Sequence, residues 1–267
     1  MKILVAGGHG MVGEKLVARL RHRGHEVVAA SRRSGVDAAT GAGLRAAMRG
    51  VEAVVDVTNA PSFEAPQVVE FFERSSAHLL DEGRRAGVGH HVVLSVVGTP
   101  RLQASAYFRA KALQERRVAA SGLPFTVLRA TQFFEFIASI VPPFGAREPI
   151  GVSPSAVRPV AAEDVADRLA DLVDGPPVGG TVEMAGPEVF RLCDLLQWIM
   201  YCYQDARTVA ADPAAPYYGG LLDDATLTPG EGALLGPTPF RDWLDAHLSG
   251  AVRRPDVHHP HPMAYFA

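Results

Sequence analysis

A five-residue apolar run, KILVA at residues 2–6, ends on Gly7-Gly8 and gives way at once to a segment of helical period. Met11, Val12, Leu16, Val17 and Leu20 fall at helical spacing, and Gly24 closes the segment. A short unbroken apolar run bounded by glycine reads as a parallel strand buried on both faces. Between strand and helix lies Gly7-Gly8-His9-Gly10-Met11-Val12-Gly13, with Gly7, Gly10 and Gly13 three residues apart. The first permits a tight turn, the second leaves the backbone open to close approach, and the third lets helix and strand pack closely. Three glycines alone are a weak signal, because any strand-to-helix turn can use them. Their place between a first strand and a first helix is what narrows the choice of fold.

The alternation continues. EVVAA (26–30) reads as a strand, 42–49 as a short helix, AVVDV (53–57) as a strand and 64–86 as a long helix. HVVLSV (91–96) is a strand, 105–121 a helix ended by Ser121-Gly122, and FTVLR (125–129) another strand. This order predicts an α/β fold, a Rossmann-type doubly wound parallel sheet with helices on both faces. From about residue 142 the pattern loosens. Pro142, Pro143, Pro149, Pro154 and Pro159 mark loops, 163–173 and 192–203 suit helices, and 181–184 suits a strand. Residues 205–239 resist assignment, and 240–248 suits a last helix. We expect a single domain over 1–267, with about 142–250 supplying a small substrate-binding region and 251–267 an extended tail.

Composition excludes several classes. The net charge is −3 with no basic block, which argues against nucleic acid and anionic membranes as partners. No apolar run approaches the roughly 20 residues of a membrane span, and the N-terminus lacks a signal peptide's apolar region and cleavage site. Cys193 and Cys202 lie nine apart in a helical stretch and face different sides, so reduced thiols and a cytoplasmic location are expected. His258, His259 and His261 sit in a Pro-rich tail without further ligands at metal spacing, so no metal is expected. The expected partner is a small-molecule substrate, with homo-oligomerisation left open.

The glycine turn presents free helix N–H groups and a positive dipole end, which suits a dinucleotide's phosphates. Gly7, Gly10, Met11, Val12 and Gly13 are the candidate cradle. The second strand ends in Ser31-Arg32-Arg33 rather than in Asp or Glu. A carboxylate there would accept from a ribose 2′-OH, whereas guanidiniums clamp a 2′-phosphate, so the pattern favours NADP(H). A plain solvated loop is the alternative. The absent carboxylate also counts against a methyltransferase. Asp37 either contacts the adenine or caps a turn. Thr58 and Asn59 follow a strand at its carboxyl end, where ligands bind, or else shape a loop with Pro61.

Tyr107 and Lys111 are four apart in the helix at 105–121 and so share a face. Ser95 ends the preceding strand. Lys111 would lower the pKa of Tyr107 and hold the nicotinamide ribose, Tyr107 would protonate a developing alkoxide, and Ser95 would hydrogen-bond the carbonyl oxygen. An exposed lysine beside a half-buried tyrosine is the bland reading. Gln132, Phe133 and Phe134 follow FTVLR and are candidate substrate contacts, with Gln132 also suited to the cofactor amide. Packing beneath a loop is the alternative for the phenylalanines.

LSVVG, AYFRAK and ASGLPFTVLRATQFFEF, together with AAEDVADRLADL and GPEVFRLCDLL, resemble the atypical, NmrA-like branch of the short-chain dehydrogenase/reductase superfamily over roughly residues 1–200. The resemblance implies a Rossmann domain with a small C-terminal substrate region, and it matches Ser95, Tyr107 and Lys111 to the superfamily's Ser, Tyr and Lys. Many members of this branch lack the tyrosine, and some bind NADP without turnover, whereas this chain keeps the pair. The expected function is NADPH-dependent reduction of a carbonyl or quinone. The alternatives are a non-catalytic NADP-binding regulator or sensor, and an isomerase or lyase on the same fold.

Overall fold

The apolar runs pair side by side, all in parallel, because each is hydrophobic on both faces and must be covered by helices above and below. The computed structural model describes residues 1–140 and 149–251. The histidines of the tail, most of the expected extended segment and the loop prolines Pro142 and Pro143 lie outside the described residues. The first half comprises β1 (Lys2–Ala6), α1 (Met11–His22), β2 (Glu26–Ala30), α2 (Leu44–Ala47), β3 (Ala53–Asp56), α3 (Gln67–Ala86), β4 (His90–Val96), α4 (Ala106–Ala119) and β5 (Phe125–Ala130). The second comprises α5 (Phe134–Ile140), β6 (Ile150–Val152), β7 (Ala156–Val157), α6 (Ala162–Asp174), β8 (Gly180–Ala185), β9 (Phe190–Arg191), α7 (Leu192–Cys202), β10 (Val209–Ala211), β11 (Leu234–Leu235) and α8 (Phe240–Ala251).

The main sheet has seven parallel strands in the order β2-β1-β3-β4-β5-β8-β11. Alternate side chains feed two layers. Ile3, Val5, Val55 and Val92 pack with Leu16 and Leu20 of α1 and Val165 and Leu169 of α6. Leu4, Ala6 and Val54 pack on the opposite face with Leu44, Met48 and Leu79. The chain leaves β1 for β2 on one side and returns to β3 on the other. That reversal opens a crevice at the carboxyl ends of β1 and β3, the place where open α/β sheets bind ligands.

α1 and α6 are laced by ion pairs: Lys15 and Arg19 with Glu163, Arg19 with Asp167, and Arg23 with Asp171 and Asp174. Such half-exposed pairs contribute little each, and the apolar seam between the helices does most of the holding.

The stretch expected to contribute the small substrate-binding region, about 142–250, divides its labour. α6, β8 and β11 complete the main sheet and its covering layer. The rest builds a cap with its own core, in which Phe134 and Ile137 meet Leu195, Leu196 and Ile199 of α7 and Phe240, Trp243 and Leu244 of α8. The pairs β6–β10 and β7–β9 edge this cap. Among the described residues no helix is long and apolar enough to cross a membrane.

Phe134 is fully buried, its ring 5.1 Å from that of Phe240 and 5.4 Å from that of Trp243. It anchors α5 to the cap and is not a substrate contact. Truncation would leave a cavity the cap cannot fill. Phe134→Ala is therefore expected to lower the unfolding free energy by about 3–5 kcal/mol, read from denaturant titration.

Candidate active site

The glycine turn is closed by contacts that only glycine allows. A Cβ on Gly13 would lie 2.0 Å from the Gly7 carbonyl oxygen, and one on Gly7, whose φ is +82°, would lie 2.8 Å from the Val57 oxygen. The turn thus presses at once on α1 and on the loop after β3. A Cβ on Gly10 would meet only the Gly7 oxygen, at 3.3 Å. Gly10 is the N-cap of α1 without a side-chain cap, so the first-turn N–H groups are left for a ligand or water. The Val12 side chain is core and that of Met11 packs against it; what these residues offer a ligand is backbone N–H. The cradle fits a pyrophosphate.

At the end of β2, Ser31 is committed to local structure. Its hydroxyl accepts from Arg33 N and shares a 2.8 Å hydrogen bond with His9 Nδ1. This caps a single 3-10 turn, Arg32–Ser34, from which Arg32 and Arg33 extend into solvent with no carboxylate partner among the described residues. His9, which sequence reasoning passed over, ties the glycine turn to this strand end. Asp37 caps its own turn, accepting from Ala39 N at 2.8 Å. Asn59 is exposed at the crevice, and Thr58 donates its hydroxyl to Asp56 at 2.7 Å.

Tyr107 and Lys111 do share one face of α4, but each is engaged elsewhere. The Lys111 ammonium donates to the Leu94 carbonyl at 2.8 Å and to Gln114 Oε1, and lies 4.5 Å above the Phe72 ring. Gln114 in turn donates to Asp56 Oδ2 at 2.8 Å, so a buried chain runs from Lys111 through Gln114 and Asp56 to Thr58. An ammonium has three donors: the carbonyl and the amide take two, and the Phe72 ring face lies nearest the third. Burial lowers the Lys111 pKa to about 8 against the opposing pull of Asp56 and Glu115.

Tyr107 packs against Phe63, Phe72 and Phe108. Burial pushes its phenol well above the usual value, and the neighbouring Tyr218 phenol adds to the rise. This corrects the expectation that Lys111 lowers the Tyr107 pKa, since the ammonium is turned to Leu94 and Gln114. The phenol is a weak acid but stays protonated, and is therefore a standing donor.

Ser95 also departs from its expected role. Its hydroxyl donates to Glu115 Oε1, which Arg129 holds from β5 at 2.9 Å. A hydroxyl has one hydrogen, and Glu115 has it, so Ser95 does not serve a substrate oxygen in this arrangement.

Gln132 is buried, yet among the described residues neither its Nε2 nor its Oε1 has a hydrogen-bond partner. Leaving a buried amide unmatched is costly, so this side chain is suited to a ligand's own amide. Phe133 is partly buried and its backbone bridges Val160, while Phe136 stands near Phe63 and Tyr218. Phe63, Tyr217 and Tyr218 are site neighbours that no motif announces. Arg158 donates to the carbonyls of Gly186 and Pro187 and so braces a loop.

A family model described as NAD(P)H-binding matches residues 7–176. No curated protein matches the chain in sequence. Among solved structures the chain is similar to the UDP-glucose 4-epimerase of Thermus thermophilus in complex with NAD, at 20% identity and TM-score 0.66, covering 100% of this chain and 97% of that one. It is similar to the UDP-glucose 4-epimerase of Thermotoga maritima with UDP-glucose, at 14% identity and TM-score 0.70, covering 95% and 99%. It is also similar to the dTDP-4-dehydrorhamnose reductase of Bacillus anthracis str. Ames with NADP, at 12% identity and TM-score 0.66, covering 93% and 98%. At these identities the likeness shows the fold, one shared by oxidoreductases and epimerases.

Folded Lys111 releases its proton near pH 8, and an unfolded lysine near 10.4. Between those values the unfolded chain binds more protons, so stability rises with pH across the window. Relative to Lys111→Met, the wild type should gain on the order of 3 kcal/mol of unfolding free energy from pH 8 to 10.5, measured by urea titration at each pH. A flat difference would mean that the ammonium is solvated.

Proposed function

The chain belongs to the NAD(P)H-binding family, and on that premise we propose that it is an NADPH-dependent oxidoreductase of the NmrA-like branch that reduces a carbonyl or quinone carbon of a small molecule. The observation that carries the reading is the Tyr107–Lys111 pair, one turn apart on α4. A phenol that stays protonated, one turn from a buried ammonium, is suited to donate a proton to a substrate oxygen.

The turn from Gly7 to Gly13 would hold the pyrophosphate through the N–H groups of Met11 and Val12. Arg32 and Arg33 would meet the 2′-phosphate, the Lys111 donor nearest the Phe72 ring face a ribose hydroxyl in its place, and the Gln132 amide the carboxamide. When bound, the reduced nicotinamide supplies a hydride to the carbonyl carbon. Tyr107 donates its phenolic proton to the carbonyl oxygen as negative charge gathers there. Lys111 acts on the resulting phenolate at longer range, and Gln114 and Asp56 keep its ammonium in place.

One observation favours a second reading. The ammonium faces Leu94 and Gln114 and not the phenol, which would suit an NADP-binding sensor that does not turn over. A turnover assay separates the two. Wild type should oxidise NADPH one-for-one with reduction of duroquinone or acetophenone. Tyr107→Phe should lower kcat about 100-fold or more while leaving the NADPH dissociation constant within about twofold. Undiminished turnover in the variant overturns the proton-donor assignment. No NADPH consumption with any carbonyl acceptor favours the sensor, and product formation without net NADPH consumption favours an isomerase.

A further inference from the structure

Tyr218 has a φ of 48°, in the left-handed region that disfavours side chains with a Cβ. Such a conformation is strained for any residue with a side chain. It sits in a tight turn: Tyr217 and Gly220 exchange backbone hydrogen bonds of 2.7 and 3.0 Å, and Gly219 between them has a φ of +87°. Asn or Gly would serve at position 218 of such a turn with less strain. Turn geometry therefore does not account for the tyrosine.

The turn is held firmly. A Cβ on Gly220 would lie 2.8 Å from the Leu102 side chain, and one on Gly98 would lie 2.7 Å from the Thr226 oxygen. The segment is thus clamped onto the loop that joins β4 to α4. From there the Tyr218 ring reaches 5.9 Å from Phe63 and 6.0 Å from Phe136, and Phe63 lies 4.8 Å from Tyr107. The Tyr217 ring is 5.0 Å from that of Tyr218. The phenols are near enough that Tyr218 acts on the ionisation of Tyr107, and both of these on that of Tyr217. Among the described residues none of the three hydroxyls has a hydrogen-bond partner. Tyr107 and Tyr217 are well covered, while Tyr218 is 39% exposed and forms the outer rim.

We propose that Tyr217 and Tyr218 complete the substrate site beside Tyr107, and that the site takes an uncharged planar ring bearing at least two hydrogen-bond acceptors. The inference rests on the reductase reading and gives it a substrate class. Phe63 and Phe136 add apolar ring surface around the phenols, which suits a flat ligand. Tyr107 protonates one oxygen, and the phenols of Tyr217 and Tyr218 donate to another. Burial holds the Tyr218 phenol up at about 12 and the Tyr217 phenol well above its usual value, so both remain donors at neutral pH. The rings themselves carry no charge to meet a diphosphate such as that of the UDP-glucose bound by a structural neighbour.

The test is calorimetric titration of duroquinone into protein presaturated with NADP+, with three comparisons. Durene has the same methylated ring without the oxygens, UDP-glucose carries a diphosphate, and Tyr217→Phe and Tyr218→Phe each keep the ring and remove one hydroxyl. Duroquinone should bind saturably and durene at least tenfold more weakly. Each variant should lose about five- to tenfold in duroquinone affinity, the equivalent of one hydrogen bond, at unchanged NADP+ affinity. Equal affinity in wild type and both variants, or binding of UDP-glucose in preference to duroquinone, overturns the proposal. NADP+ titrated first keeps the two readings apart. If NADP+ does not bind, the reductase reading falls, and duroquinone titrated into the free protein still decides the role of the tyrosines.

Discussion

The contact between Gly13 and the carbonyl of Gly7 is the constraint from which the rest of the site follows. No side chain fits there, because a Cβ would sit 2.0 Å from that oxygen. α1 can therefore start directly over the end of β1, with its first N–H groups turned out over the carboxyl edge of the sheet. The same turn abuts the backbone at Val57, which sets the loop after β3 against it. Two adjacent strand ends and one helix N-terminus are thereby fixed relative to one another. A phosphate site of this kind is built from backbone, and its precision comes from the sheet.

A second fixture links that crevice to α4. Asp56, at the end of β3, accepts from Thr58 on one oxygen and from Gln114 on the other, and Gln114 accepts from Lys111. Burying an ammonium is expensive unless its donors are matched, and here a carbonyl, an amide and an aromatic face share that work. The cost shows as the lowered Lys111 pKa. Tyr107, one turn away, shifts in the opposite direction: its phenol is kept protonated by the rings around it. The pair is a charge and a neutral donor held apart by their separate surroundings.

Legibility in the sequence followed from how local each signal is. The first strands and helices are marked by unbroken apolar runs and by glycines at their ends, and they form where expected, from KILVA to FTVLR. The strand β11 carries only two residues, Leu234–Leu235, and joins the sheet through β8; no period can appear over so short a length. Phe134 and Phe133 are neighbours with the same chemistry, yet one lies in the cap core and the other, partly buried, packs against the layer of α1 and α6. Ser95 looked like a free strand-end hydroxyl, because nothing in its surroundings names Glu115, twenty residues on. Tyr217 and Tyr218 fall in the unpatterned stretch 205–239, and only the tight turn and its clamp on Leu102 bring them to Tyr107.

The proposed preference for NADPH over NADH rests on the Gly7–Gly13 turn and the end of β2 together. Calorimetric titration of both nucleotides into wild type and Arg32→Ala tests it most directly. Saturable NADPH binding is expected in wild type, with NADH weaker by about tenfold or more and the preference largely lost in the variant. Equal binding of the two nucleotides by wild type, or binding of neither, would contradict it.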